Sequence, residues 1–159
     1  MKKVAVIMGS KSDWDVMKQA CVMLELLDIN YSREVVSAHR TPNLLYEFAL
    51  NAKKNGFDVI IAGAGGAAHL PGMVASLTTL PVIGVPIKGS KLSGVDSLLS
   101  IVQMPEGVPV ATMAINGAKN AAIFAASILG LNNPDLAKKI EEFRNQQTEN
   151  VMKDRKLVI

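Results

Sequence analysis

Gly9, Ser10, Lys11, Ser12 and Asp13 form the first of three short stretches whose residue types could do chemistry. A flexible glycine, two hydroxyls and the backbone N–H groups of a helix start suit an anionic phosphate. Asp13 aimed at that anion would repel it, so a ribose diol, which donates hydrogen bonds, is the better partner for its carboxylate. Ordinary helix capping by Ser12 or Asp13 accounts for the same residues equally well. The stretch is neither a G-x-G-x-x-G dinucleotide fingerprint nor a P-loop, and the next apolar run ends in Val36-Ser37 instead of an acid for a ribose.

The second stretch is Ser37, Ala38, His39, Arg40 and Thr41. Arg40 is placed to hold a phosphate in fork geometry together with the serines of the first stretch. A histidine beside an anion can deliver or remove a proton, which is the chemistry His39 offers here. A lone loop histidine is more often a surface or hydrogen-bonding residue; a phosphate loop next to it turns the reading towards catalysis. In the third stretch, "AGAGGAAHLPGM", Gly63, Gly65 and Gly66 let the backbone approach a ligand and present N–H groups to it, with His69 as a second polar contact near a helix start. Two histidines from separate loops with no acid beside either make a poor metal set. No Ser-His-Asp arrangement is legible, and Asp96 has no evident route to either histidine.

These stretches need a frame that brings them together. Residues 4–8 ("VAVIM"), 58–63 ("DVIIAG") and 81–86 ("PVIGVP") are short continuous apolar runs, the pattern of strands buried on both faces. Residues 31–36 read as a further strand and 108–115 ("VPVATMAI") as the fifth. Between them lie helical spacings. One starts at Asp13 and carries Met17, Ala20, Cys21, Leu24 and Leu27; one starts at Pro42 with Leu45, Phe48, Ala49 and Ala52 on a face and ends at Gly56; a short one passes through Val74 and Leu77; another covers 95–102. Two more follow, a small-residue helix over 117–130 and an amphipathic one from Pro134. Strands alternating with helices imply an α/β three-layer sandwich with right-handed crossovers around a parallel sheet, most simply in the flavodoxin-like order 2-1-3-4-5. Ligands then bind beyond the carboxyl ends of the strands, where the winding reverses, so the three stretches should share one site.

At 159 residues the chain reads as a single catalytic domain over 1–159, with 133–159 as a C-terminal helical tail. Leu136, Ile140, Phe143 and Val151 leave that tail an apolar stripe, for which packing on neighbouring subunits of a closed homo-oligomer is the expected partner; folding back onto its own sheet is the alternative. A net charge of +3 with scattered lysines and 4% aromatic residues excludes a nucleic-acid surface. Cys21, the single cysteine, falls on an apolar helix face and reads as a buried thiol in a reducing cytoplasm. No apolar segment reaches the length of a membrane span, and the run after Lys3 is too short for a signal sequence.

The strings "GSKSD", "VVSAHRTP", "IIAGAGGAAHLPGM", "PVIGVP" and "GVDSLLSIVQMPEGVPVAT" resemble, in order and spacing, the N5-carboxyaminoimidazole ribonucleotide mutases of purine biosynthesis, over nearly the whole chain. The resemblance implies a cytoplasmic homo-octamer of flavodoxin-like subunits that makes 4-carboxy-5-aminoimidazole ribonucleotide without metal or organic cofactor, linked functionally to the ATP-dependent synthetase that supplies its substrate. It implies that Ser10, Ser12, Ser37 and Arg40 hold the 5′-phosphate and Asp13 the ribose. His39 would be the catalytic acid/base, with Gly65 and His69 facing the base and the migrating carboxyl. A related branch carboxylates aminoimidazole ribonucleotide directly with carbon dioxide and is expected to carry Lys-Gly in place of Arg40-Thr41. One departure stands out: "AINGAKNA" at 114–121 is about two residues shorter than the family's usual segment, which bears on local packing near a subunit contact. A flavin-binding electron carrier of similar fold is the reading from another class; it lacks aromatic side chains in these loops.

Overall fold

The computed structural model describes residues 4–157. β1 (Val4–Met8), β3 (Val59–Gly65) and β4 (Val82–Ile87) are the continuous apolar runs, and apart from Gly65 every residue in them is buried. β2 (Tyr31–Val35) is half to fully exposed, as an edge strand must be, and its Arg33 and Glu34 guard that edge. The five strands run parallel in the order β2-β1-β3-β4-β5, as the alternation of patterns implies.

β5 departs from expectation: in place of a strand over 108–115 only Ala111–Thr112 pairs, against Ile83 and Gly84. Proline explains the loss. Pro109 has no N–H to give, and on β4 the N–H groups of alternate residues face β3, starting from the register set by Ile60 N–H on Pro81 O. Residues 84, 86 and 88 are left to face β5, and residue 86 is a proline. The chain still follows β4, through Met113 N–H on Gly84 O and Asn116 N–H on Pro86 O.

Alternation along the strands divides the core between two helical layers. Val4, Val6 and Met8 face α1 (Trp14–Leu26) and α5 (Ala118–Gly130); Ala5 and Ile7 face the layer of α2 (Pro42–Asn51), α3 (Leu70–Ala75) and α4 (Val95–Val102). Ala118, Ala121, Ala122, Ala125 and Ala126 are fully buried, which brings the α5 backbone close to α1. The start of α1 corrects the capping expectation. Ser10, ahead of a 3-10 turn over Lys11–Asp13, is the cap, and Asp13 closes a capping box on it. The α3 helix also ends at Ala75, short of Leu77.

α6 (Pro134–Lys153) is split along its length. Leu136 and Ile140 are buried and Phe143 half-buried against the same core as α5, whereas Val151 and Met152 are 69% and 54% exposed. Its first half therefore folds back on its own subunit, as in the alternative reading, and its second half projects into solvent. Among the described residues no helix is long and apolar enough to cross a membrane.

Candidate active site

The loops after β1, β2, β3 and β4 enclose one pocket of about 390 Å³ at the carboxyl end of the sheet. The eight residues to which the resemblance assigns roles, Ser10, Ser12, Asp13, Ser37, His39, Arg40, Gly65 and His69, all line it. Gly63 does not, and that expectation is corrected: a Cβ there would lie 2.3 Å from Met17 Sδ, so this glycine lets α1 pack on β3 instead of admitting a ligand.

The first loop is held rigid from within. Ser10 Oγ accepts from the Ser12 N–H at 3.3 Å and from the Ser12 hydroxyl at 3.0 Å, while Ser10 N–H donates to Asp13 Oδ2 at 2.9 Å. Asp13 is only 8% exposed. Burial pushes its carboxyl above the ordinary 3.8, against the opposing pull of the Ser10 N–H and the Arg40 guanidinium.

Thr41 closes the second loop: its hydroxyl accepts from Ser37 N–H at 2.9 Å and donates to Ser37 O at 3.0 Å. Being spent there, it makes no cap bond to α2. Arg40 then straps the first two loops together, donating from Nη2 to Gly9 O at 3.0 Å and from Nε to Ser37 Oγ at 3.2 Å. His39 crosses to the third loop, where its Nε2 lies 2.7 Å from His69 Nδ1 with the rings edge-to-face at 81°. One nitrogen of that pair must carry a hydrogen and the other a lone pair, so the two imidazoles hold one shared proton position.

In the third loop Gly66 takes φ +65°, which a side chain would strain. Its N–H donates to Ser97 Oγ at 2.9 Å, fixing the turn against α4. Across the pocket stand Lys88 and Gly89 from the loop after β4. Lys88 N–H is held by Asn116 Oδ1 at 2.9 Å, and Asn116 itself adopts φ +59°.

The family model described as AIR carboxylase matches residues 3–150. The chain belongs to the AIR carboxylase family. A relative from Thermotoga maritima named N5-carboxyaminoimidazole ribonucleotide mutase is 61% identical over 152 residues, covering 96% of this chain and 89% of the relative. A protein of the same name from Saccharolobus solfataricus is 61% identical over 155 residues, covering 98% of each. A crystal structure of Treponema denticola PurE matches with a TM-score of 0.86 at 25% identity, over 97% of this chain and 96% of that one.

Within this AIR carboxylase family fold, sequence reasoning missed four contributors. Lys88 and Gly89 sit just beyond a buried strand, the same signal that marked Gly9 and Gly65, and the strand-end rule already pointed there. Thr41 stood in the second stretch without the turn-locking role its hydroxyl takes, and Ser97 carried no signal, since a serine inside an apolar helix does not announce a bond to a distant loop. The short "AINGAKNA" segment also acquires a meaning: through Asn116 it supports the Lys88 wall of the pocket, so it bears on the site as well as on packing. Cys21 is buried, with its thiol pushed up by desolvation. Among the described residues no group of three or more His, Cys, Asp or Glu side chains could hold a metal ion.

Proposed function

We propose that this chain converts N5-carboxyaminoimidazole ribonucleotide to 4-carboxy-5-aminoimidazole ribonucleotide in purine biosynthesis, as an intramolecular carboxyl transfer. The observation that carries the reading is the meeting of His39, from the second loop, with the glycine loop and the serine-rich first loop in one pocket. Ser10, Ser12, Ser37 and Arg40 take the 5′-phosphate, Asp13 the ribose, and Gly65 and His69 the heterocycle with its migrating carboxyl.

Chemically, the carboxyl leaves the exocyclic nitrogen as carbon dioxide when that N–C bond breaks, and His39 supplies a proton to the nitrogen. Carbon 4 attacks the confined carbon dioxide, and the histidine recovers a proton from carbon 4, so atoms and charge balance over the cycle. No covalent carrier is needed. Confinement and aimed backbone donors supply the rest of the acceleration.

The Arg40-Thr41 pair, with Thr41 locking the turn and Arg40 strapping two loops, supports the mutase reading over direct carboxylation of aminoimidazole ribonucleotide. A flavin carrier finds no Phe, Tyr or Trp among the pocket-lining residues. The assembly we propose is a cytoplasmic homo-octamer, in which neighbouring subunits cover the distal half of α6 and the exposed Val95, Leu99 and Val102 of α4. The ATP-dependent synthetase that makes the labile substrate is its functional neighbour.

The test is to offer the purified protein either N5-carboxyaminoimidazole ribonucleotide or aminoimidazole ribonucleotide with bicarbonate. Rapid consumption of the first, unaffected by chelators, is expected. Efficient consumption of the second alone, or of neither, overturns the assignment.

A further inference from the structure

The end of the β3–β4 ladder is unusual. Residues 60 and 82 are partners, and Ile60 N–H donates to Pro81 O at 3.0 Å. Bonds in a parallel pair alternate, so the N–H groups of residues 60, 62, 64 and then 66 face β4, and Gly66 N–H is due to meet Ile87 O. A side chain also bonds both of these groups. Ser97, fully buried on α4, accepts from Gly66 N–H at 2.9 Å and donates to Ile87 O at 2.7 Å.

The hydroxyl thus bridges the two strand ends at the last pair of the ladder, Gly65 and Ile87, with one hydrogen bond to each side. The pocket opens there, with Gly65, Gly66 and Ala67 on one side of the split and Ile87, Lys88 and Gly89 on the other. In a planar trans peptide the N–H and the preceding C=O point opposite ways, so pinning Gly66 N–H also fixes the direction of the Gly65 carbonyl. Ser100, one turn further on, approaches Gly66 O at 3.3 Å, but its single proton goes mainly to Asp96 O at 2.7 Å.

We propose that Ser97 is a positioning residue for the carboxyl transfer: its hydroxyl, bonded at once to the end of β3 and the end of β4, holds the glycine loop in the orientation that receives the heterocycle. The inference rests on the reaction proposed above and deepens it. The residues assigned to the phosphate sit on the loops after β1 and β2 and not on the loop that Ser97 holds, so loss of its hydroxyl falls on turnover and spares binding.

The experiment compares Ser97→Ala with the unaltered protein in turnover of N5-carboxyaminoimidazole ribonucleotide and in crystal structure. A misplacement of the loop by about 1 Å lowers kcat on the order of 100-fold, with KM within about threefold by the same reasoning, and the structure shows the glycine loop displaced from its place in the unaltered protein. Ser100→Ala has a smaller effect. Ser127→Ala, which removes a hydroxyl bonded to Ile123 O at 3.0 Å far from the pocket, leaves kcat unchanged and controls for lost hydrogen bonding. If Ser97→Ala does not fold, Ser97→Cys, similar in size and a poorer hydrogen-bonding group, shows the same fall. Wild-type kcat in a folded Ser97 variant overturns the proposal, as does an unmoved glycine loop. Should the unaltered protein prove inert on this substrate, the reaction fails, and the loop geometry decides the role of Ser97 by itself.

Discussion

The two ends of the sheet each carry a cavity, and the larger one is not the one lined by the three loops. Beneath β2 and β3 a cavity of about 560 Å³ is lined by Asp28, Asp135, Lys139 and Asn133, among others, over an apolar floor of Leu27, Ile128 and Leu136. Three of these polar groups are engaged in structure. Lys139 pairs with Asp28 at 2.6 Å, and Asn133 caps α6 by accepting from Leu136 N–H. At the carboxyl rim, by contrast, loop bonds aim side chains and backbone into a smaller space: Thr41 locks the turn that presents His39, and Ser97 holds the glycine loop. What separates a site from a hollow here is how polar groups are oriented, with volume a poor guide.

Substitutions at the two ends should therefore differ in kind. The largest effect belongs to His39→Asn, which removes the proposed proton carrier: turnover falls by about 10²–10⁴-fold, while nucleotide binding, followed by calorimetry, persists. Normal turnover in that variant would break the comparison at its centre. Arg40→Met comes next. Loss of a charge-assisted contact worth ~1.5–3 kcal/mol raises KM by about 10–100-fold, and the effect weakens at high salt.

Asp13→Asn sharpens the contrast between function and stability. The amide keeps an acceptor for Ser10 N–H but sheds a buried charge, so nucleotide affinity drops while the denaturation midpoint holds or rises. The sign follows from the raised carboxyl. The folded state holds the proton more tightly than the unfolded chain, so stabilisation from this group is complete below the ordinary 3.8 and is lost as pH rises through the raised folded value. A urea midpoint measured from acid to neutral pH should lose that component in the Asn variant. Gly94→Ala strains a φ of +90° and drives a Cβ to 2.6 Å from Ile115 Cγ2; a loss of ~1–3 kcal/mol in urea denaturation is expected. Smallest of all, Lys139→Met at the opposite cavity breaks a solvent-exposed ion pair, costs ~0–1 kcal/mol and leaves turnover untouched. A fall in kcat there would erase the distinction between the two ends.

The strand order and α1, α2, α4 and α5 were legible because their apolar periods are long and unambiguous. β5 was not, because apolar content cannot show that Pro86 withholds the N–H on which the pairing depends. The three loops were legible as chemistry-bearing, and the strand-end rule placed them together. Gly63 misled because a glycine required by Met17 looks, in sequence, like one required by a ligand. The split of α6 after Phe143 was hidden for a related reason, since an amphipathic stripe does not say where its partner ends.

By itself the sequence determined which residues could do chemistry, that a parallel sheet would carry them, and that His39 would stand beside hydroxyls and an arginine, because hydrophobic period and residue type are local properties of the chain. Only the tertiary structure decided that His39 touches His69, that Lys88 closes the far wall, and that a buried serine bridges two strand ends. Those are distances between residues about thirty positions apart, set by register and packing, which no local pattern encodes.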